Sequence, residues 1–511
     1  RVLQRLGLAS SVSHEILPEF REYERTATIV VNAYLVPLMG RYLEEVERVV
    51  CSRKRAARRP AGRVAVMQSS GGTVSARAAA AQPVRTLLSG PAGGVVGART
   101  VAKLAGFERI ISFDMGGTST DVALLAGELA TTSEGSVAGV PVAVPMLDIH
   151  TVGAGGGSLA WFDRGGALRV GPQSAGADPG PICYGRGRQP TVTDAHLILG
   201  RLDPAQFLGG RWQLDAQRTR DWMQRFIQTR RDISSLEELA AGIVAVANAT
   251  MERAIRVISV ERGHDPRDFV LVAFGGAGGL HACDLAAALR IPRVLIPKFP
   301  GALSALGILF SDVVKDYART VLLPVDGDDW THLVARLERE FQILERAARA
   351  ELRREGFPPS TQRLARQLDL RYRGQAFELA VAFGRNFVSA FHRAHQRRYG
   401  YADPARSIEV VNVRLRAVGV TPKPKFRPAV LGPAAPPPAA RFKRAKVYFD
   451  GRARPTEFYI RERLRPGNRI LGPAVIAEYS ATTVVAPGWQ ARVDTYENLL
   501  LEKRRQKRAD D

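Results

Sequence analysis

Residues 110–124, ISFDMGGTSTDVALL, set the carboxylates Asp114 and Asp121, the glycines Gly116 and Gly117 and the hydroxyls of Thr118 and Ser119 between two apolar runs. A glycine pair in such a turn lets successive backbone N–H groups converge on one anion with no Cβ in the way, and adjacent hydroxyls can donate further bonds. A carboxylate at the strand end repels a bare phosphate. Asp114 therefore makes chemical sense as an outer-shell partner of Mg2+, a hard cation that keeps much of its water. A second stretch, Gly275-Gly276-Ala277-Gly278-Gly279, lies between the strand pattern DFVLVAF and a helical pattern. A glycine-rich turn opening a helix can admit a flat base or ribose against bare backbone, helped by the helix N-terminus. Either stretch alone reads as an ordinary turn; together, in this order, they suit a nucleotide. No G-x-x-x-x-G-K-[ST] occurs, so a P-loop is excluded.

Other candidates are weaker. Asp148 and His150, in DIHTVGAGGG, alternate and so share one side of an extended segment, where they could meet substrate or metal. Asp121 reads equally well as a turn-closing side chain. His281, just past the second glycine stretch, reads as a packing or capping residue of a helix. Asp178 and Asp194 lie in the irregular stretch 147–200, rich in Gly and Pro; long irregular segments of this kind are commonly functional. Cys183 reads as a small buried hydrophobe.

These residues must be held by something. The spacing of Val30, Tyr34, Leu38 and Tyr42 predicts a helix over 22–50, kinked or restarted at Pro37. RVAVMQSSGGTV (63–74) reads as a strand ending in a turn, and LLSGPAGGVVGARTVAKLAG (87–106) as a loop feeding a helix. Residues 109–132 read as a hairpin around the Gly-Gly turn. Ser235-x-x-Glu238 predicts a capping box opening a long helix, ended by Gly263. An amphipathic helix over 328–356, stopped by Gly356, precedes two alternating strand patterns. Residues 421–440 are proline-rich and expected to be extended. The domain expectation is 1–105 (remainder of a first lobe), 106–322 (ATPase-like lobe), 323–420 (α/β accessory domain), 421–444 (linker) and 445–511 (small β domain with a basic tail).

Composition bounds the class. At 511 residues the chain exceeds a single core. It has no apolar run long enough to span a bilayer and no signal-peptide pattern at its start, so no membrane association is expected. Cys51, Cys183 and Cys283 are widely separated, which argues against a disulfide framework and for a cytoplasmic location. The net charge of +23 raises nucleic-acid binding. However, 63 of the 73 basic residues are arginine, scattered along the chain, and the local runs at 51–63 and 502–508 carry no aromatic recognition motif. Nucleic acid is not the expected partner; an acidic partner subunit fits better.

The chain resembles the hydantoinase A/5-oxoprolinase family, which includes acetone carboxylase beta-type subunits. The words that carry the likeness are SHEILPEFREYERTATIVVNAY, MQSSGGTVSA, TLLSGPAGGVVGA, FDMGGTSTDVAL, HTVGAGGGSLAW, GPQSAGADPGPICYG, PTVTDA, ERGHDPRDFVLVAFGGAGGLHA, PGALSALGIL and GPAVIAEYSATTVV. The resemblance implies an α/β fold: RNase H-like lobes of the actin/sugar-kinase/Hsp70 ATPase type, here incomplete at the N-terminus, plus a small C-terminal β domain. It implies that Asp114, Gly116, Gly117, Thr118 and Ser119 form the second phosphate loop. Gly275, Gly276, Ala277 and Gly278 would form the adenosine loop, with ATP and Mg2+ as cofactors. It also implies the reaction, ATP-dependent opening of a small cyclic amide of the hydantoin or 5-oxoproline type, with a hydantoinase B-like partner subunit in a hetero-oligomer. ATP-dependent ketone carboxylation and a non-catalytic scaffold are the rivals. Relatives carry a further phosphate loop upstream of the SHEILPE word, and this chain begins just before that word. It also departs at Gly279, usually proline, and at His196, usually asparagine.

Overall fold

The computed structural model describes residues 5–6, 10–56, 64–127, 129–132, 135–137, 139–228, 232–325 and 330–504. Much of the basic runs at 51–63 and 502–508 falls outside these residues. The chain forms two compact units: Arg1–Ser89 with Thr131–Leu147 and Ser311–Lys423, and Gly90–Ala130 with Asp148–Phe310 and Pro424–Asp511. The units interleave along the sequence, whereas the expected segments were contiguous.

In the first unit a 35-residue helix, Glu22–Ala56, runs unbroken through Pro37. A proline there frees the carbonyl four residues back, on Ala33; both residues are exposed, so water can bond that carbonyl. The six-stranded sheet runs in the spatial order Ala65–Met67, Thr73–Ser75, Val313–Pro324, Ile408–Gly419, Gln362–Tyr372, Leu379–Ala382. The stretch read as one strand and a turn is thus a hairpin, with Met67 opposite Thr73. The helix Trp330–Arg354 buries Leu337, Phe341, Leu344, Ala348 and Leu352. These positions follow the three-and-four spacing that predicted it, and Gly356 turns the chain just beyond with φ +84°.

The second unit is built on a mixed eight-stranded sheet. Its strands are β1 (Arg109–Met115), β2 (Thr120–Ala126), β3 (His150–Val152), β4 (Val270–Phe274), β5 (Arg293–Ile296), β6 (Arg469–Leu471), β7 (Trp489–Val493) and β8 (Leu499–Lys503). The spatial order is β6-β7-β8-β5-β4-β1-β2-β3. β1, β2 and β3 pair antiparallel, while β4 runs parallel to β1 and β5 parallel to β4. The run β3-β2-β1-β4-β5 is the order expected of an RNase H-like lobe. β4 is buried along its whole length, which explains why VLVAF is continuously apolar instead of alternating.

Residues 445–511, expected as a small β domain, contribute to two sheets. Arg441–Phe449, Arg452–Ile460, Ala474–Ala477 and Thr482–Val485 form a four-stranded sheet, while β6–β8 extend the eight-stranded one through β8 on β5. Gly90, Gly93, Gly94 and Gly97 of the 87–106 stretch lie inside a helix, Ser89–Leu104, not in a loop. A side chain at Gly93 would meet the Ser304 carbonyl oxygen at 2.7 Å, so these glycines allow close helix packing.

Three helices matter for the site: α1 (Val192–Ile198), α2 (Leu236–Ile258) and α3 (Gly275–Ala288). Ser235 caps α2 by accepting from the Glu238 N–H at 3.1 Å, but the Glu238 carboxylate reaches back to Ser234, one residue earlier than a capping box requires. Gly263 ends a short 3-10 turn that follows α2. Buried Ile243, Ala247, Met251 and Ile255 of α2 join Ile111, Phe113 and Leu271 of the sheet in one core. Among the described residues no helix is long and apolar enough to cross a membrane.

Candidate functional site

β1 and β4 are neighbours and parallel, with Phe274 opposite Asp114, so the two glycine stretches emerge side by side at the same end of the sheet. The first is a closed turn in which the Gly116 N–H donates to the Ser119 carbonyl at 3.1 Å. The second is not a loop. Gly275 to Gly279 form the first turn of α3, with Phe274 as the N-cap residue and no side chain capping it. The first N–H groups of a helix have no partner inside it, so α3 presents bare donors and the positive end of its dipole here. Gly275 has φ +78°, and a Cβ there would stand 2.3 Å from the Met115 carbonyl oxygen and 2.5 Å from Asp114 Oδ1. Only glycine lets the helix start this close to β1.

A third glycine stretch completes the arrangement. Residues Gly155 to Gly157 lie directly against the hairpin turn: the Gly156 N–H donates to Gly116 O at 3.0 Å and the Gly157 N–H to Gly117 O at 2.6 Å. Thr120 Oγ1 donates to Ala154 O at 2.5 Å. From α1, Thr193 donates both its N–H and its hydroxyl to Gly156 O, each at 2.8 Å. The signal for this stretch was present, since GAGGG is visible in the sequence, but its contact with residues 116 and 117 is tertiary.

Asp114 is half-buried, and among the described residues no hydrogen bond or ion pair engages its carboxylate. Burial, and then the charge of Asp121 opposite, raise its pKa to about 7. A carboxylate left unpaired beside a helix N-terminus is suited to receive a cation. Asp121 is occupied, since Thr151 Oγ1 donates to its Oδ1 at 2.5 Å, and burial raises its pKa despite that bond. Thr118 is exposed and Ser119 half-buried, and neither hydroxyl engages a described protein group. Among the described residues no group of three or more His, Cys, Asp or Glu could hold a metal. Mg2+ at such a place would take its ligands from phosphate oxygens and water, with Asp114 outside them.

The turns open into a cavity of about 150 Å3, all of it within the second unit. Gly116, Gly117, Gly156, Gly276 and Ala277 line one end. Tyr184, Phe207, Leu280 and Tyr479 supply flat or apolar surface beyond them, with Tyr184 and Phe207 ring centroids 5.7 Å apart. Glu478 also lines it; burial raises its pKa to about 8, opposed by Arg461 and assisted by Glu462. Tyr184, Glu478 and Tyr479 lie within words that carry the family likeness, but neither they nor Phe207 stand in a chemical pattern that marks them as site residues.

The remaining candidates lie apart. Asp148 is ion-paired with Arg262, and His150 sits on the edge strand β3 opposite Val122, two residues short of the end where the turns gather. Neither lines the cavity. Asp194 is structural: it accepts from the backbone of Ile182, Cys183 and Thr191, closing the capping box that starts α1. Asp178 is an exposed partner of Arg186 at 3.5 Å. Cys183 is buried, and burial followed by Asp194 pushes its thiol pKa well up, away from nucleophilic use.

His281 faces His196 across 3.0 Å between the Nε2 atoms, and both rings are fully buried. His281 Nδ1 lies 2.6 Å from Asn248 Oδ1, while Asn248 Nδ2 faces Asp284 Oδ2 at 3.5 Å. Asn248 Oδ1 accepts, so His281 carries its proton on Nδ1 and accepts at Nε2 from His196. His196 Nδ1 is left without a hydrogen-bond partner. The pair ties α1 to α3 just beneath the glycine turns.

Known proteins match this chain over most of its length. The family described as hydantoinase/oxoprolinase matches residues 25–317, and its C-terminal domain matches 325–504. The chain is 37% identical to caprolactamase subunit alpha of Pseudomonas jessenii over 95% of this chain and 71% of the relative. The crystal structure of the ATP-dependent caprolactamase from that organism superposes with a TM-score of 0.81 at 33% identity, covering 99% of this chain and 74% of that one. The chain is 35% identical to 5-oxoprolinase 1 of Arabidopsis thaliana over 96% of its own length but only 40% of that enzyme. A nucleotide-free acetone carboxylase structure also superposes with a TM-score of 0.81, at 28% identity, covering 98% of this chain and 73% of that one. This chain belongs to the hydantoinase/oxoprolinase family.

Proposed function

We propose that this chain is the ATP-binding component of an ATP-dependent cyclic amide hydrolase acting on a lactam or hydantoin-type ring. The observation that carries the reading is the meeting of three glycine-rich backbone segments at one end of β1 and β4, beside an unpaired carboxylate and a helix N-terminus. MgATP would supply a phosphoryl group to the amide oxygen, releasing ADP and activating the carbonyl carbon towards water; after water adds, the ring C–N bond would break with the nitrogen taking up a proton, and a second water would release phosphate from the resulting acyl phosphate to leave the opened acid. The chain's own part is to position and to neutralise charge. The N–H group of Gly117 with the hydroxyls of Thr118 and Ser119 would hold phosphate oxygens, while Gly116, whose N–H closes the turn on Ser119, leaves them room. Asp114 would orient the hydrated Mg2+, and Gly275, Gly276, Ala277 and Gly278 would leave room for the sugar and base against Tyr184, Phe207 and Tyr479. The cavity's 150 Å3 matches the base end better than a whole nucleotide, so the phosphates would lie over the open turns. A hydantoinase B-like subunit would complete hydrolysis, and the dispersed cysteines, none in a disulfide, fit a reducing compartment such as the cytoplasm.

The likeness to acetone carboxylase supports a second reading, ATP-dependent activation of a ketone for carboxylation. The two are separated by ADP release from the chain co-expressed with its partner subunit, offered caprolactam, 5-oxoproline, hydantoins, or small ketones with bicarbonate. Cyclic amides should stimulate release, and Asp114→Asn should reduce it by about a hundredfold. Stimulation only by ketone with bicarbonate would move the assignment to carboxylation. No stimulation by any of them, with Asp114→Asn unchanged, would sink both.

A further inference from the structure

The first unit encloses a cavity of about 940 Å3, within the range of about 300–1,000 Å3 usual for small-molecule sites. Six arginines line it. Four are neutralised where they stand: Arg21 by Glu378 at 2.7 Å, Arg319 by Glu340 at 3.0 Å, Arg414 by Glu19 at 2.9 Å and Asp369 at 2.5 Å, and Arg416 by Asp316 at 2.7 Å. Arg398 is exposed at its edge. Arg85 differs from all of these, being half-buried with no ion pair to any described carboxylate.

Its side chain is nevertheless fixed. Nε donates to Gln82 Oε1 at 2.7 Å and Nη2 to Ile16 O at 3.0 Å. Its backbone carbonyl accepts from Ser69 N–H at 2.7 Å and Ser69 Oγ at 3.0 Å. A guanidinium has five N–H donors in a planar fork, so the Nη1 pair and one Nη2 hydrogen remain unengaged. Burial draws the Arg85 pKa below its ordinary value; Asp316 and Glu19 oppose this and Arg414 adds to it. Of the other lining carboxylates, Glu24 favours the charge on Arg21 and Glu15 is exposed. Ile16 and Leu17, both buried, with Phe377 and Leu379 give the cavity apolar surface.

A pre-oriented guanidinium with free donors and no direct ion pair to a described carboxylate is completed by a planar or tetrahedral oxyanion. We infer that Arg85 anchors a second ligand site, within the first unit, for a small organic oxyanion: a carboxylate or phosphate on a compact apolar body. The inference rests on this unit alone and stands or falls independently of the nucleotide reading.

The test is calorimetric titration and thermal melting of the full chain without nucleotide, for wild type, Arg85→Met and Arg85→Lys. The probes are 5-oxoproline, 2-pyrrolidinone, which is the same ring without the carboxylate, and inorganic phosphate. Wild type should bind 5-oxoproline or phosphate saturably, with Arg85→Met at least about tenfold weaker, and 2-pyrrolidinone should not separate the proteins. A response to 5-oxoproline alone assigns a carboxylate site, and a response to phosphate alone a phosphate site. Phosphate taken up by the glycine turns of the other unit would be indifferent to Arg85. Should Arg85→Met fail to fold, Arg85→Lys, which keeps the charge but loses the fork, is still expected to weaken binding by about tenfold. Absence of saturable anion binding by wild type up to about 10 mM, or equal binding by the variants, would overturn the inference.

Discussion

His196 and His281 show how a residue-scale contact escapes sequence reading. The rings lie 85 positions apart, and nothing local marks them as partners. His281 was legible as a packing residue of a helix, and it is one; its pairing with His196 became visible only in three dimensions. Burial lowers the His281 pKa to about 3, with Arg201 adding to the shift, and burial, His281 and Arg201 lower that of His196 well below 6.5. The sign follows directly. Between about pH 3 and 6.5 the unfolded chain binds protons at these rings that the folded chain refuses, so stability is full above the unfolded value and is lost as pH falls. Each ring contributes a slope of up to about 1.4 kcal/mol per pH unit in that window. Denaturant melts from pH 7 to 4.5 should therefore fall less steeply for His196→Asn than for wild type, because the amide can still donate to His281 Nε2 but does not titrate. Parallel curves would show that the pair does not govern acid sensitivity.

At the scale of elements, the strands and helices that carry the site were readable because their patterns are local. Apolar runs around Asp114-Met-Gly-Gly gave the hairpin, and FVLVAF before the glycines gave β4 and α3. What was not readable was where a loop stops and a helix starts. Gly275–Gly279 looks like a flexible turn, yet tertiary packing overrides the low helix propensity of glycine and makes it the first turn of α3. The close approach explains why glycine is there: at φ +78°, an added Cβ would stand 2.3 Å from Met115 O. Gly275→Ala should cost at least about 2 kcal/mol, from the unfavourable φ and the forced separation of α3 from β1. The readout is the melting temperature, with nucleotide binding lost alongside. A variant that melts with wild type would mean that the helix start is not held against β1 as described.

At the scale of the whole molecule, the mixed α/β architecture and the family were legible from long ordered words, while the grouping of segments was not. The chain crosses between its two units several times, and residues 131–147, read as part of a continuous lobe, belong with the first unit. Local periodicity carries no record of such returns. The placement of Asp148 and His150 away from the turns has the same origin: alternation gave their common side, but the register of β3 against β2 decided how far along the sheet they lie. The account stands chiefly on the claim that the Gly117 N–H faces ligand and not protein. Nothing lies within 4 Å of where a Cβ on Gly117 would stand, so a side chain there would enter only the space assigned to phosphate. The most direct measurement is calorimetric titration of MgATP into the wild-type chain and Gly117→Val, each first shown to have the same melting temperature. The predicted result is an affinity at least about tenfold weaker in the variant, a difference of about 1.4 kcal/mol; equal affinities, or no MgATP binding by wild type, would contradict it.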